Sequence, residues 1–232
     1  MAFLEDKARD LSRPVLEGAA RALARWNVSP DWVTNLGLLL TLGVAALAAW
    51  GQLRWAGVVY AVAALCDALD GALARVSGKG SRFGAFLDST IDRLEESAVF
   101  LGLILYYAGT GGRLEIPVIL VATVGSLMVS YTRARAEGVG VACREGLMTR
   151  PLRVVIVIVG LILHQVLIAL AVLAALSLFT AFQRIYHVWR VTGGEAGGWG
   201  PPQTPFVIPG PADPPSHQEG ASIQYFSSKV PE

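Results

Sequence analysis

Long apolar runs alternate with short polar breaks along most of this chain. The runs cover about Trp32 to Trp50, Arg54 to Val76, Phe83 to Tyr107 and Ile116 to Ala136. A fifth run, from Leu152 to Arg190, is too long for one crossing of a hydrocarbon core about 30 Å thick. His164-Gln165 interrupts it and divides it into helices at about 152–163 and 166–189, the first reaching back toward Arg150. The breaks carry their own signals. Ser29 suits an N-cap and Pro30 a first helical turn, and Gly109-Thr110-Gly111-Gly112 reads as a turn. The pattern predicts an all-α membrane protein with six transmembrane helices within residues 27–190.

The two ends differ from this middle. Residues 1–26 mix apolar positions at three-to-four spacing with Lys7, Arg9, Arg13, Arg21 and Arg25. That pattern predicts a juxtamembrane amphipathic helix, broken near Pro14, lying on the membrane surface or packing on the protein's own body. Residues 191–232 are rich in Gly and Pro without apolar periodicity, which predicts a disordered tail. No cleavable signal peptide is legible at the start.

Composition agrees with the pattern. Of 232 residues, 53% are hydrophobic and 16% charged, the balance of a polytopic membrane protein. A net charge of +1 gives no global field for nucleic acid. Two cysteines, Cys66 and Cys143, with three histidines form no zinc pattern and suggest no structural disulfide. Basic residues gather before the first helix, between the second and third, between the fourth and fifth, and at Arg184 and Arg190. The intervening loops carry mainly Arg54 and Arg113. The positive-inside rule therefore puts both termini on the cytoplasmic side of a cell membrane.

The candidate chemistry lies between Asp67 and Asp92, in DALDGALARVSGKGSRFGAFLDSTID. Asp67 and Asp70 are three apart and Asp88 and Asp92 four apart, so each pair shares one helix face. A hinge from Ser77 to Ser81 joins the two helices and lets four carboxylates meet. Such a cluster needs cations to compensate it. Mg²⁺ and Mn²⁺ take oxygen ligands, and pairs of them serve phosphoryl chemistry. Glycines on the same faces, Gly71 and Gly84, admit a bulky ligand, and Arg75 adds a cation suited to phosphate. Acids inside apolar helices are costly and mark function.

These residues resemble the signature of the CDP-alcohol phosphatidyltransferases, D-x2-D-G-x2-A-R-x8-G-x3-D-x3-D. Here it is Asp67, Asp70, Gly71, Ala74, Arg75, Gly84, Asp88 and Asp92, with every spacing kept. The resemblance implies transfer of a phosphatidyl-type group from a CDP-lipid such as CDP-diacylglycerol to a hydroxyl, with release of CMP. It implies two divalent ions on Asp67, Asp70 and Asp88, with Asp92 as general base toward the acceptor and as a further ligand. Spacing alone does not separate base from ligand. By the same resemblance Gly71, Arg75, Ser81 and Gly84 lie on the nucleotide side. Pro30-Asp31-Trp32-Val33-Thr34 is similar to the family's first-helix opening, so Asp31 and Thr34 would face the nucleotide; as ordinary caps they would not. Arg75 also reads as a snorkelling cation. A homodimer is implied as well.

The acceptor is read from the stretch Ser130–Gly138 and Gly146–Arg153. It resembles the phosphatidylinositol phosphate synthase branch, in which a basic residue after the tyrosine and an arginine after the second glycine segment bind the acceptor's phosphate. The matching residues are Arg133 and Arg150, although that branch often has lysine where Arg133 stands. Positive-inside topology alone also accounts for arginines here. Three functions follow: transfer to inositol phosphate or its archaeal-lipid equivalent, transfer to glycerol 3-phosphate, and carriage of ions or protons by intramembrane carboxylates. A carrier needs no glycine bed and no phosphate-reading arginine, which favours an enzyme.

Overall fold

The structure, a computed structural model, describes residues 30–77, 82–143 and 145–193, with residues 14, 16, 18–22 and 25 before them. Six helices follow Pro30: α1 (Pro30–Ala49), α2 (Leu53–Ser77), α3 (Arg82–Thr110), α4 (Glu115–Gly138), α5 (Arg150–Ile162) and α6 (Val166–Thr192). No strand occurs among the described residues. Each predicted helix lies within a few residues of its expected bounds, and α5 begins at Arg150.

The helices pack as a closed ring. Around it α1 touches α2, α2 touches α5, α5 touches α6, α6 touches α4, α4 touches α3, and α3 returns to α1. All six contribute to one core, which includes Val44, Tyr60, Phe100, Ile119, Leu161 and Leu173. Small residues make the approaches close. A methyl group on Gly102 of α3 would overlap the Ala45 carbonyl of α1, so only glycine permits that crossing. The turn between α5 and α6 places His164 in the left-handed region, at φ 57°. That residue ends α5 where the sequence pattern breaks.

The outer surface is apolar. On α2, Trp55, Val58, Val62 and Leu65 are exposed, while Ala56, Tyr60 and Ala63 are buried. A chain that buries small residues and exposes large apolar ones suits lipid rather than water. Helices α1, α2, α4 and α6 are long and apolar enough to cross a membrane, which makes this an integral membrane protein. The other two depart from that standard for different reasons. Helix α3 has 29 residues but carries Asp88, Asp92, Arg93, Glu95 and Glu96 in its first two-thirds. Helix α5 has 13 residues, about 20 Å at the α-helical rise.

The expected amphipathic segment over 1–26 is described only in part. Its described residues are helical, and Leu16 and Ala20 pack with Val33, Ala72 and Leu73. Residues 78–81, with Ser81, and the tail beyond residue 193 lie outside the described residues. Cys66 and Cys143 are both free.

Candidate active site

The motif occupies the second half of α2 and the first half of α3. Asp67 and Asp70 sit on α2 about two to three turns before its end, where helical spacing puts both carboxylates on one side. Asp70 is buried and accepts a hydrogen bond from Thr34 Oγ1 of α1 at 2.7 Å. Asp67 lies against Gly37, where a Cβ would come within 2.8 Å of its Oδ1. The glycine thus makes room for the carboxylate beside α1.

On α3, Asp92 is only 12% exposed at its side chain and lies opposite Asp67. Asp88, one turn earlier, is exposed. Arg93 Nη1 donates to Asp92 Oδ2 at 3.1 Å.

Arg150 joins the two helices. Its Nη2 lies 2.7 Å from Asp67 Oδ2, 2.7 Å from Asp92 Oδ1 and 3.2 Å from Glu95 Oε2. The fold brings this residue 83 positions along the chain to Asp67, because α5 packs on α2. Thr149 in extended backbone and Pro151 in the first turn start α5 at that point. The loop before it is tied to α6: Arg184 Nε donates to the Glu145 carbonyl at 2.8 Å, and Met148 N–H to Thr180 Oγ1 at 3.1 Å.

Beneath this level lies a second charged layer. Glu96 accepts from Arg153 Nε at 2.8 Å and Nη2 at 3.1 Å, and from Ser126 Oγ at 2.6 Å. The layer links α3, α4 and α5.

The arrangement has the donors for a hard cation. One carboxylate oxygen from each of Asp67, Asp92 and Glu95 lies within 4.8 Å of the other two. Oxygens sharing an octahedral Mg²⁺ at about 2.1 Å stand about 3 to 4 Å apart. The set therefore fits a divalent ion with small side-chain movements, and its chemistry, all oxygen, suits Mg²⁺ or Mn²⁺.

The other expected residues fall as follows. Gly71 is open on its helix face, with only Arg75 Nη1 near the place of a Cβ, at 3.6 Å. Arg75 is exposed and Gly84 half-buried. Asp31 lies in the first turn of α1, and its side chain is outside the described residues. Arg133 does not reach the aspartates. It is exposed and pairs with Glu137 on its own helix at 2.9 Å.

Sequence reasoning passed over Glu95 and Glu96. The signal was available: they stand three and four residues after Asp92, continuing its helix face into the apolar half of α3. Two acids at the head of an apolar run need partners, and Arg150 and Arg153 supply them.

Comparison with known proteins bears on this site. The CDP-alcohol phosphatidyltransferase family profile matches residues 27–186. A phosphatidylinositol phosphate synthase of Mycolicibacterium smegmatis is 42% identical over 192 residues, 77% of this chain and 83% of that one. An archaetidylinositol phosphate synthase of Pyrococcus horikoshii is 39% identical over 183 residues, 78% of this chain and 94% of the relative. Among solved structures, the phosphatidylinositol phosphate synthase of Mycobacterium tuberculosis with CDP-DAG bound superposes with a TM-score of 0.70 at 35% identity, over 76% of this chain and 94% of that one. The same protein in complex with manganese and citrate gives 0.69 at 36% identity, over 75% and 88%.

Proposed function

This chain belongs to the CDP-alcohol phosphatidyltransferase family, and we propose that it transfers a phosphatidyl group from CDP-diacylglycerol to a hydroxyl of inositol phosphate, releasing CMP. The observation that carries the choice of acceptor is Arg150, a guanidinium 2.7 Å from both Asp67 and Asp92. An arginine beside the reacting site suits an acceptor that carries its own phosphate. The similarity to inositol phosphate synthases from a bacterium and an archaeon supports the same acceptor.

Asp67, Asp70, Asp88 and Asp92 would hold two divalent ions, Mg²⁺ or Mn²⁺, with Glu95 at the edge of the set. Bound there, the ions supply charge neutralisation for the diphosphate and for the leaving CMP phosphate. Thr34 fixes the Asp70 carboxylate, and Gly37 leaves space for Asp67. Gly71, Gly84 and Arg75 serve the nucleotide side, where open backbone and an exposed guanidinium can meet a cytidine diphosphate. Asp31 and Ser81 belong to the same side. Asp92 takes the proton of the attacking hydroxyl. The oxygen of that hydroxyl forms the new P–O bond to the lipid-bearing phosphorus, and the bond to the CMP oxygen breaks. Arg150 and Arg133 hold the acceptor's phosphate.

All six helices cross the membrane in this reading. The charged part of α3 lies at the cytoplasmic interface, and its apolar remainder from Ser97 spans. Helix α5 crosses with the help of its flanking residues. Both termini are then cytoplasmic, and Asp67, Asp92 and Arg150 lie near that leaflet, where a water-soluble acceptor arrives.

The test is CMP release from radiolabelled CDP-diacylglycerol by the purified chain, with inositol phosphate, free inositol and glycerol 3-phosphate as acceptors. Release is expected with inositol phosphate and little with free inositol. Release with glycerol 3-phosphate alone would assign the chain to phosphatidylglycerophosphate synthesis. No release with any acceptor would return the carboxylates to a carrier role.

A further inference from the structure

Arg150 stands inside the carboxylate cluster rather than at its rim. Its Nη2 is within 3.2 Å of oxygens from Asp67, Asp92 and Glu95, and among the described residues those three are the ones whose oxygens converge closely enough for one ion. A divalent ion shared by Asp67 and Asp92 would lie about 2.1 Å from the same oxygens. A guanidinium nitrogen and such an ion cannot both stand there, since they would overlap and repel.

We propose that Arg150 is the resting counter-ion of the metal site, and that a divalent cation and this guanidinium exchange places on Asp67 and Asp92. The inference rests on the function proposed above and adds an order to it. Cation binding turns Arg150 out of the cluster and frees its donors for the acceptor's phosphate. While Arg150 is engaged with the aspartates, those donors are taken, so the acceptor binds well only to the metal-loaded chain.

Three features make the exchange local. Arg150 is the first residue of α5, and its side chain is 28% exposed, so it can swing without moving the helix. Glu95 is the most weakly engaged partner, at 3.2 Å, and belongs to no part of the family motif. It can keep one hydrogen bond to the guanidinium after the aspartates have changed partner. Glu96 is no second refuge, because Arg153 and Ser126 already occupy its oxygens. At every stage the acids keep a cation, which avoids the penalty of an unpaired buried charge.

Two measurements on the full chain in detergent, without substrates, test this. In the first, Mn²⁺ binding is followed by electron paramagnetic resonance in the parent and in Arg150→Gln. Loss of the competing cation should tighten Mn²⁺ binding by about ten-fold or more. In the second, phenylglyoxal modification of the parent's arginines is quantified by mass spectrometry with and without Mg²⁺. Arg150 should react several times faster with Mg²⁺ present, while Arg153, held by Glu96, should not change. The second measurement needs no variant, so a misfolded Arg150→Gln chain would not decide the matter. An Arg150 reactivity that Mg²⁺ leaves unchanged or lowers overturns the exchange, even if Arg150→Gln binds Mn²⁺ more tightly, because removing a charge alone would do that. A parent chain that binds no Mn²⁺ overturns the metal reading itself, and the exchange with it.

Discussion

Arg153 of α5 grips Glu96 of α3 through two parallel hydrogen bonds, at 2.8 and 3.1 Å, with both side chains buried. These helices are not neighbours in the ring of packed helices. The pair therefore spans the ring one turn below Asp92 and Arg150, and fixes the height at which those two residues meet. Breaking one side of such a buried pair leaves a lone charge and costs about 3–5 kcal/mol. Arg153→Met and Glu96→Gln are each expected to lower the thermal unfolding midpoint in detergent markedly. The double variant should lose less than the sum, because neither charge is then left alone. Additive losses would mean that the two residues act separately.

Much of this architecture was legible from the chain, and the part that was not has a common physical reason. Apolar runs and their polar breaks located the helices because lipid-facing and core-facing positions are both apolar, so a helix stands out whole. Helical spacing aligns Asp67 with Asp70 and Asp88 with Asp92. Of the four expected to meet, however, the structure brings together Asp67 and Asp92, with Glu95, while Asp70 takes Thr34 and Asp88 is exposed. Glu96 with Arg153, and Arg150 with Asp67, join residues 57 and 83 positions apart. No local period encodes such a pairing; it depends on which helices pack. Arg133 and Arg150 looked alike in a basic loop, yet one opens α5 against the aspartates and the other faces outward on α4.

Metal removal gives a direct test of the carboxylate cluster. CMP release should vanish in excess chelator and return with Mg²⁺ or Mn²⁺. Full activity without any divalent cation would mean that Arg150 alone suffices to compensate the cluster.

Asp92 and Asp67 should separate by role. As the base, Asp92→Asn is expected to lose about two to four orders of magnitude in turnover while keeping CDP-diacylglycerol binding, read by equilibrium dialysis. Asp67→Asn should lose Mn²⁺ and nucleotide affinity as well. Retention of more than about a tenth of the activity in Asp92→Asn would move the proton transfer to another group.

Gly37 is the space in which Asp67 rests. A Cβ there would stand 2.8 Å from Asp67 Oδ1 and push the carboxylate off its position. Gly37→Ala should weaken Mn²⁺ binding by about ten-fold, near 1.4 kcal/mol, with little change in thermal stability. An unaffected Mn²⁺ isotherm would show that Asp67 can move aside at no loss to the ion.

Arg150 and Arg133 should be told apart by the acceptor. A charge-assisted hydrogen bond to phosphate is worth about 1.5–3 kcal/mol, so Arg150→Ala is expected to raise the KM for inositol phosphate by about ten-fold to a hundred-fold. The KM for CDP-diacylglycerol should move little, since its phosphates are expected on the metals and Arg75. Arg133 starts from a different position. Its exposed pair with Glu137 is of the i,i+4 kind, worth about 0.3–0.5 kcal/mol, so a phosphate can draw it away at little cost. Arg133→Ala should thus also raise the acceptor KM, while leaving the unfolding midpoint unchanged. Arg150→Ala should alter stability as well, because Asp67, Asp92 and Glu95 lose their shared cation. Added Mg²⁺ should restore that stability in Arg150→Ala. If both variants lose affinity equally for the two substrates, the arginines support the fold or the topology rather than the acceptor. If Arg133→Ala leaves the acceptor KM unchanged, Arg150 alone reads the phosphate.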